Sequence, residues 1–275
     1  MHYLVLVMEL FLSLLLTACG PAAIVGAIGS AVTRTAYEND AKINNYSQAT
    51  RQYDHSEVAL ANLKLGIGYM QEGLYEKALE KLNRAREARP DYPPIYSALG
   101  VLHQKLGVYD VAEDNFKKAL KLNPKDSSTL NNYGLLLCQT LRYEEADEIF
   151  LKAVNNPLYA TPELAYNNAG TCAFNNGQIE LAENYFKEAL KRDPGIGSTL
   201  IQMSELSYGQ ENYMPARGYL KRYLEYNKPS AKSLWLGIMI ERELGDKDAV
   251  SSYALLLRNQ FTESKEAELL RQSLN

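Results

Sequence analysis

The chain has 275 residues, of which 33 are acidic and 29 are basic, and its formal net charge is -4. There is neither a basic excess nor a run of Lys or Arg, which argues against a nucleic-acid partner. The three histidines form no cluster with cysteines or carboxylates at metal-ligand spacing, so a metal site is not expected.

The first element along the chain is an apolar run that ends in a cysteine, "LSLLLTACGPAA" at residues 12–23. Residues 3–18 are short for a membrane-spanning helix, which needs about 20 apolar residues, and have the length of a secretory signal. Leu16-Thr17-Ala18-Cys19 resembles the lipobox of bacterial lipoproteins. The resemblance implies that residues 1–18 are a signal peptide, that Cys19 is lipidated, and that this lipid anchors the mature chain to a membrane.

The leader departs from that pattern in two ways. No Lys or Arg precedes the apolar run, and Glu9 lies inside it, although a positive charge usually sets the orientation of such a segment. An uncleaved anchor or a buried cysteine is the alternative. Residues 19–57 are interpreted as a lipidated tether, and the other interpretation is that their small apolar stretch, residues 20–32, lies in the membrane interface.

A period of 34 residues organises the chain from about residue 59 to residue 261. "LGIGYMQEGLYEKALEKLNRAREARP" recurs as "LGVLHQKLGVYDVAEDNFKKALKLNP", 34 residues later. Two further units follow, separated by a shift of 36 because "NNPLYATPE" adds two residues, and then two weaker copies. The recurring Gly, Ala, Phe and Pro match the tetratricopeptide repeat.

Packing explains this pattern. Small residues in both helices of a unit allow close approach, and a proline ends the second helix. One helix pair cannot bury its apolar face alone, so units stack. We therefore predict an all-α, right-handed superhelical solenoid of six tetratricopeptide repeats at residues 58–261. A capping helix at residues 262–275 follows, with Thr262 as its N-cap and apolar Leu269 and Leu270.

The first helix of the first repeat carries more apolar residues than its core needs. Leu65, Gly66 and Tyr69 occupy the usual packing positions. A second stripe at spacing i, i+3, i+7, i+10 corresponds to the concave side and suggests a partner-binding groove; it consists of Leu60, Leu63, Ile67 and Met70. The alternative is that the preceding residues 49–58 cover this stripe.

Two pairs of asparagines occupy one repeat position, in "LNNYGLLLC" and "YNNAGTCAF". Asn131 and Asn167 are expected to face the groove, with Asn132 and Asn168 beside them near the helix seam. An amide both donates and accepts, so these side chains would suit the backbone of an extended peptide. Hydrogen bonding between neighbouring helices is the alternative.

Cys138 and Cys172 lie in the first helices of repeats three and four, within two positions of each other in the repeat register. In an oxidising compartment two thiols at similar heights can form a disulfide. The alternative is two buried residues whose α-carbons are too far apart to join.

A lipobox, a tether, six repeats and a cysteine pair in units three and four together resemble the secretin pilotins, the lipoproteins of type IV pilus biogenesis. The resemblance implies an outer-membrane lipoprotein, facing the periplasm, that binds a secretin subunit and promotes its localisation and multimerisation. A scaffold lipoprotein for outer-membrane protein assembly or cell-wall synthase activation is the alternative. An enzyme is disfavoured because the repeats leave no room for a catalytic domain, and no cofactor beyond the covalent lipid is expected.

Overall fold

The structure is a computed structural model that describes residues 55–273 and the single residue Lys42. Between residues 55 and 273 the chain forms helices joined by short turns, without a strand. Thirteen helices occupy this range: α1 (55–71), α2 (Tyr75–Ala88), α3 (Pro93–Lys105), α4 (Tyr109–Leu122), α5 (Ser127–Gln139), α6 (Tyr143–Val154), α7 (Pro162–Asn175), α8 (Ile179–Arg192), α9 (Gly197–Gly209), α10 (Tyr213–Tyr226), α11 (Ala231–Leu244), α12 (Lys247–Gln260) and α13 (Lys265–Gln272).

The helices pack as six consecutive pairs followed by α13, which confirms the predicted all-α tetratricopeptide architecture. Within a pair the two helices contact each other, and each second helix also contacts the first helix of the next pair. The second helix of each repeat buries one periodic face. In α4, for example, Ala112, Phe116 and Ala119 are buried, a spacing that places all three on one face of a helix.

Glycines in the first helices allow the close approach that the repeat pattern predicts. A Cβ added at Gly134 would lie 2.7 Å from the ring of Phe150, and one added at Gly170 would lie 2.5 Å from the ring of Phe186. Both phenylalanines are fully buried. A methyl group at either glycine would therefore overpack the core.

The last helix covers the open end of repeat six. Ala267 and Leu270 of α13 are buried against Leu234, Ile238 and Leu257 of α11 and α12. Its N-cap is Ser264, whose hydroxyl accepts from the backbone N–H of Ala267. The expectation that Thr262 caps this helix is wrong, because the Thr262 hydroxyl donates to the carbonyl of Arg258 at the end of α12.

Candidate functional site

The first helices of successive repeats lie side by side, with α3 against α5, α5 against α7, α7 against α9 and α9 against α11. We call their surface turned away from the second helices the inner face. In repeats two and three the helical carboxylates lie in the second helices: α3 and α5 contain none, whereas α4 contains three and α6 contains four. The first helices therefore contribute no carboxylate to the inner face of these two repeats.

The structure divides the predicted apolar stripe of α1. Leu63 and Met70 are buried in the core that α1 and α2 share with α3, where Ile95, Leu99 and Leu102 also lie. Placing these two residues in an open groove was wrong, because the apolar face of α3 packs on them. Ile67 is half-buried against the same core, and Leu60 is 38% exposed.

Leu65 departs from the prediction in the opposite direction, since it is exposed where burial was expected. It is 50% exposed, although the sequence assigned it to a packing position together with Gly66 and Tyr69. In later repeats the equivalent residue is covered by the second helix of the preceding repeat. The described residues include no helix before α1 to cover Leu65 or the neighbouring exposed Val58. Position in the array, and not the repeat pattern, thus decides which face of α1 is buried.

The paired asparagines bond neighbouring helices. Asn131 and Asn167 are both buried. Asn168 donates to Oδ1 of Asn131 at 3.0 Å across the α5–α7 seam, and the Thr199 hydroxyl of α9 donates to Oδ1 of Asn167 at 2.8 Å. The groove-facing placement of Asn131 and Asn167 was therefore wrong: each buried amide oxygen accepts a hydrogen bond from a side chain of the next first helix, as buried polar groups require.

Asn132 has a different environment from its neighbour. It lines a cleft of about 390 Å³ between α3 and α5, together with Val101, Leu135, Gln104 and Gln139. Gln104 donates to Gln139 at 3.0 Å, and Gln139 donates to the Tyr109 hydroxyl at 2.9 Å. The cleft lining combines apolar Val101 and Leu135 with three amides and the Lys105 ammonium, a combination that can hold a polypeptide segment.

Cys138 and Cys172 form a disulfide between α5 and α7, with their α-carbons 5.7 Å apart. The distance lies within the usual range for such bonds. Cys172 is buried and Cys138 is half-buried. The predicted pairing is therefore present, and the bond crosses the same seam as the Asn131–Asn168 hydrogen bond.

A charged network joins repeats two and three. Glu113 of α4 accepts from Lys117, from Arg142 and from the Tyr133 hydroxyl, each at 2.8 Å. Partial burial acts to raise the pKa of Glu113, but these three donors outweigh it and hold the pKa at about 2. Burial and the Glu113 carboxylate together raise the pKa of Tyr133 to about 12. This network has no signature in the sequence.

A second ion pair joins repeats five and six. Glu241 of α11 is buried and accepts from both ends of the Arg217 guanidinium of α10, with Nε 2.9 Å from Oε1. Asp246 lies 3.4 Å from the same guanidinium. The repeat pattern missed this pair because its members belong to different units and have no counterparts in the other repeats.

Cys19 and the rest of residues 1–41 lie outside the described residues. Among the described helices, none is both long enough and apolar enough to cross a bilayer. Between residues 55 and 273, no three His, Cys, Asp or Glu side chains are grouped so as to hold a metal ion.

Known protein families and individual proteins resemble this chain in sequence. Tetratricopeptide repeat families match residues 68–107, 93–126, 115–148 and 163–196. The type IV pilus assembly protein PilF of Pseudomonas aeruginosa is 32% identical over 206 residues, which cover 75% of this chain and 82% of PilF. An uncharacterized protein of Haemophilus influenzae is 26% identical over 147 residues, covering 54% of this chain and 82% of its own length.

Two solved structures share the arrangement of helices. The structure of Pseudomonas aeruginosa PilF has a TM-score of 0.70 and 30% identity, and the match covers 80% of this chain and 99% of that one. PilW, described as a widely conserved type IV pilus biogenesis factor, has a TM-score of 0.71 and 29% identity, with 79% and 99% covered.

Proposed function

This chain belongs to the family of the type IV pilus assembly protein PilF, and we propose that it is the secretin-binding lipoprotein of a type IV pilus system. It would bind a secretin subunit through the inner face of its repeats and promote secretin localisation and multimerisation at the outer membrane. The role is a non-catalytic one: the array holds a polypeptide partner in place.

The likeness to PilF carries this proposal. Identity of 32% extends over 82% of PilF, and the same helices superpose in the PilF and PilW structures. The shared region is thus nearly the whole relative and not one generic repeat. The accessible amide and apolar side chains of the inner face supply the chemistry that binding an extended polypeptide needs.

The proposed contact surface retains only part of the stripe that the sequence indicated. Leu60 and Ile67 of α1 remain accessible, whereas Leu63 and Met70 belong to the core. Asn132 adds an amide in the cleft between α3 and α5. We assign partner binding to these three residues, with Asn168 contributing through its bond to Asn131.

Anchoring would come from the N-terminal segment. Lipidation of Cys19 after removal of residues 1–18 would place residues 19–57 as a tether between the membrane and the repeats. One acyl chain gives only marginal membrane binding, whereas several chains hold firmly. The array would then face the periplasm and keep its bound secretin at the outer membrane.

An experiment with four forms of the full chain tests the proposal. Wild type and Leu60→Glu would be purified from detergent-solubilised envelope and their secretin recovery measured by mass spectrometry, and the location of Cys19→Ala would be compared with that of wild type by membrane fractionation. Wild type should recover secretin. Cys19→Ala should be absent from the outer-membrane fraction. Leu60→Glu should no longer recover secretin, although its circular dichroism spectrum stays native. Leu65→Glu is the matched control, because Leu65 is also exposed on α1 but lies on the end of the array.

Each arm can refute a separate part. Recovery of a barrel-assembly or cell-wall synthase complex in place of secretin would favour the scaffold function and discard the pilus partner. An unchanged outer-membrane fraction for Cys19→Ala would refute lipidation. Secretin recovery by Leu60→Glu as high as that by wild type and Leu65→Glu would show that Leu60 is not part of the contact surface.

A further inference from the structure

Leu141 occupies a backbone position that leucine disfavours. It follows α5 with φ at 62°, in the left-handed region that is unfavourable for a residue with a Cβ. At the equivalent turn position, repeats one, two, four and six have glycine at φ of 74° or 75°: Gly73, Gly107, Gly177 and Gly245. The Leu141 side chain is also 70% exposed, so packing within the protein does not explain its presence.

Other apolar side chains are exposed at the same end of the repeats. Leu106 and Val108 flank the turn of repeat two, and Leu74 precedes α2 in repeat one. We call these three residues and Leu141 the turn edge. The equivalent turns of repeats four and five are polar, with Asn176, Gly177 and Gln178 in one and Gln210, Glu211 and Asn212 in the other.

Hydrogen bonds hold the turns of repeats two and three together. Gln104 precedes Leu106 by two residues and donates to Gln139, which precedes Leu141 by two residues. Gln139 donates in turn to Tyr109, the residue after Val108. The cleft between α3 and α5 opens at this place, with Gly107 and Tyr109 in its lining. The turn edge therefore combines exposed apolar side chains with an adjacent concavity.

The charges around the turn edge are mostly negative. Residues 71–77, 104–111 and 139–145 contain five carboxylates and three cations. Arg142 is neutralised by Glu113 and Glu145. Glu72, Asp110 and Glu144 are exposed, and so are Lys77 and Lys105, the latter in the lining of the cleft. Within the described part of the chain none of these five side chains forms an ion pair, so the three segments have two more carboxylates than cations. An occupant of matching charge would bring Lys or Arg.

The turn edge also lies far from the point where residues 1–54 join the array. His55 and Ser56 share a cavity with Glu87 to Asp91, at the opposite end of the repeats. Since α1 spans residues 55–71, the two edges are separated by roughly 25 Å.

We infer that the turn edge of repeats one to three is a docking surface for a segment of another protein in which aliphatic residues are flanked by Lys or Arg. The turn edge consists of other side chains than Leu60, Ile67 and Asn132, although it borders the same α3–α5 cleft that Asn132 lines, and the inference does not depend on the partner being a secretin. A strained and exposed leucine is retained at Leu141 because it contacts this segment.

Peptide binding by the full chain tests the inference. The probe is a short fluorescein-labelled peptide of leucines flanked by lysines, and its counterpart carries glutamates in place of the lysines; binding is read by fluorescence anisotropy. Wild type should bind the lysine-flanked probe more tightly, and salt should weaken that binding. Leu141→Gly should weaken it by about tenfold or more, the effect of losing one buried leucine contact, while leaving the thermal midpoint unchanged or higher.

Two control variants distinguish loss of docking from relief of backbone strain and from loss of an exposed leucine elsewhere on the surface. Between residues 55 and 273, Glu211 is the other non-glycine residue at positive φ, so Glu211→Gly should have the same effect on the thermal midpoint without affecting binding. Leu158→Ser removes a leucine that is 89% exposed on the loop after α6 and should also leave binding unchanged.

Three results would overturn the inference. One is equal binding by Leu141→Gly and wild type, and another is preference for the glutamate-flanked probe. The third is a wild-type dimer in sedimentation that Leu141→Gly converts to monomer, with no probe bound by either, because the occupant would then be a second copy. None of these results would bear on secretin recovery in the pull-down, so the two proposals fail separately.

Discussion

The seam between repeats three and four and the seam between repeats five and six are each formed by both helices of one repeat against the first helix of the next, but different kinds of bond cross them. The former is crossed by the Cys138–Cys172 disulfide and by the neutral Asn168–Asn131 hydrogen bond. The latter is crossed by the buried Arg217–Glu241 ion pair. The backbone fold therefore does not dictate how neighbouring repeats are joined.

The difference predicts different failure modes. A disulfide acts mainly on the unfolded chain, so its loss leaves the native contacts intact. A buried ion pair leaves an uncompensated charge when one partner is removed. At the seam between repeats two and three we expect an intermediate loss of stability, because Glu113 is only partly buried. Its contribution to stability depends on pH, because its hydrogen-bond donors lower its pKa.

Breaking the ion pair should have the largest effect. Arg217→Ala should lower the free energy of unfolding by about 3–5 kcal/mol, because Glu241 stays buried without its cation. Chemical denaturation followed by circular dichroism measures this. The double variant Arg217→Met with Glu241→Leu should recover most of the loss, since it removes both charges.

An exposed pair provides the matched control for that variant. Lys232 contacts Glu205 at 2.7 Å with its side chain largely in solvent, so Lys232→Ala should cost no more than about 1 kcal/mol. If Arg217→Ala cost as little as Lys232→Ala, the buried pair would not be what joins repeats five and six.

Reducing the disulfide should have the next largest effect. The bond links cysteines 34 residues apart, and a loop of this size should contribute about 2–4 kcal/mol. Denaturation with and without reductant measures the difference, and the Cys138→Ser, Cys172→Ser double variant should be insensitive to reductant. An unchanged free energy of unfolding after verified reduction would mean that the asparagine and apolar contacts suffice at this seam.

Acid should weaken the seam between repeats two and three. The pKa of Glu113 is about 2 in the folded protein against an ordinary value of 4.5. The resulting stabilisation is present above pH 4.5 and is lost as the pH falls toward 2, with an upper limit of about 3 kcal/mol. The difference in free energy of unfolding between wild type and Glu113→Gln should therefore shrink across this range. Glu268→Gln, at an exposed pair with Arg271, should show a smaller change, and a pH-independent difference for Glu113→Gln would contradict the assignment.

The sequence alone determined the elements that depend on local spacing. The period of 34 residues located the helix pairs, the glycines facing Phe150 and Phe186, and the two cysteines at similar heights, because a repeat places equivalent residues at equivalent points. The likeness to secretin pilotins likewise followed from the order of these features along the chain.

The packing of neighbouring helices determines which side chains remain accessible to a partner. Leu63 and Met70 are buried because α3 packs on them, and Leu65 is exposed because no described helix precedes α1. Asn131 and Asn167 are buried because a neighbouring helix supplies a partner for each amide. The burial of a residue depends on which side chains of the neighbouring helix lie opposite it. The repeat pattern predicts the helix in which a residue lies but not those opposing side chains. The same reason hid the Arg217–Glu241 pair, whose members meet only when repeats five and six stack.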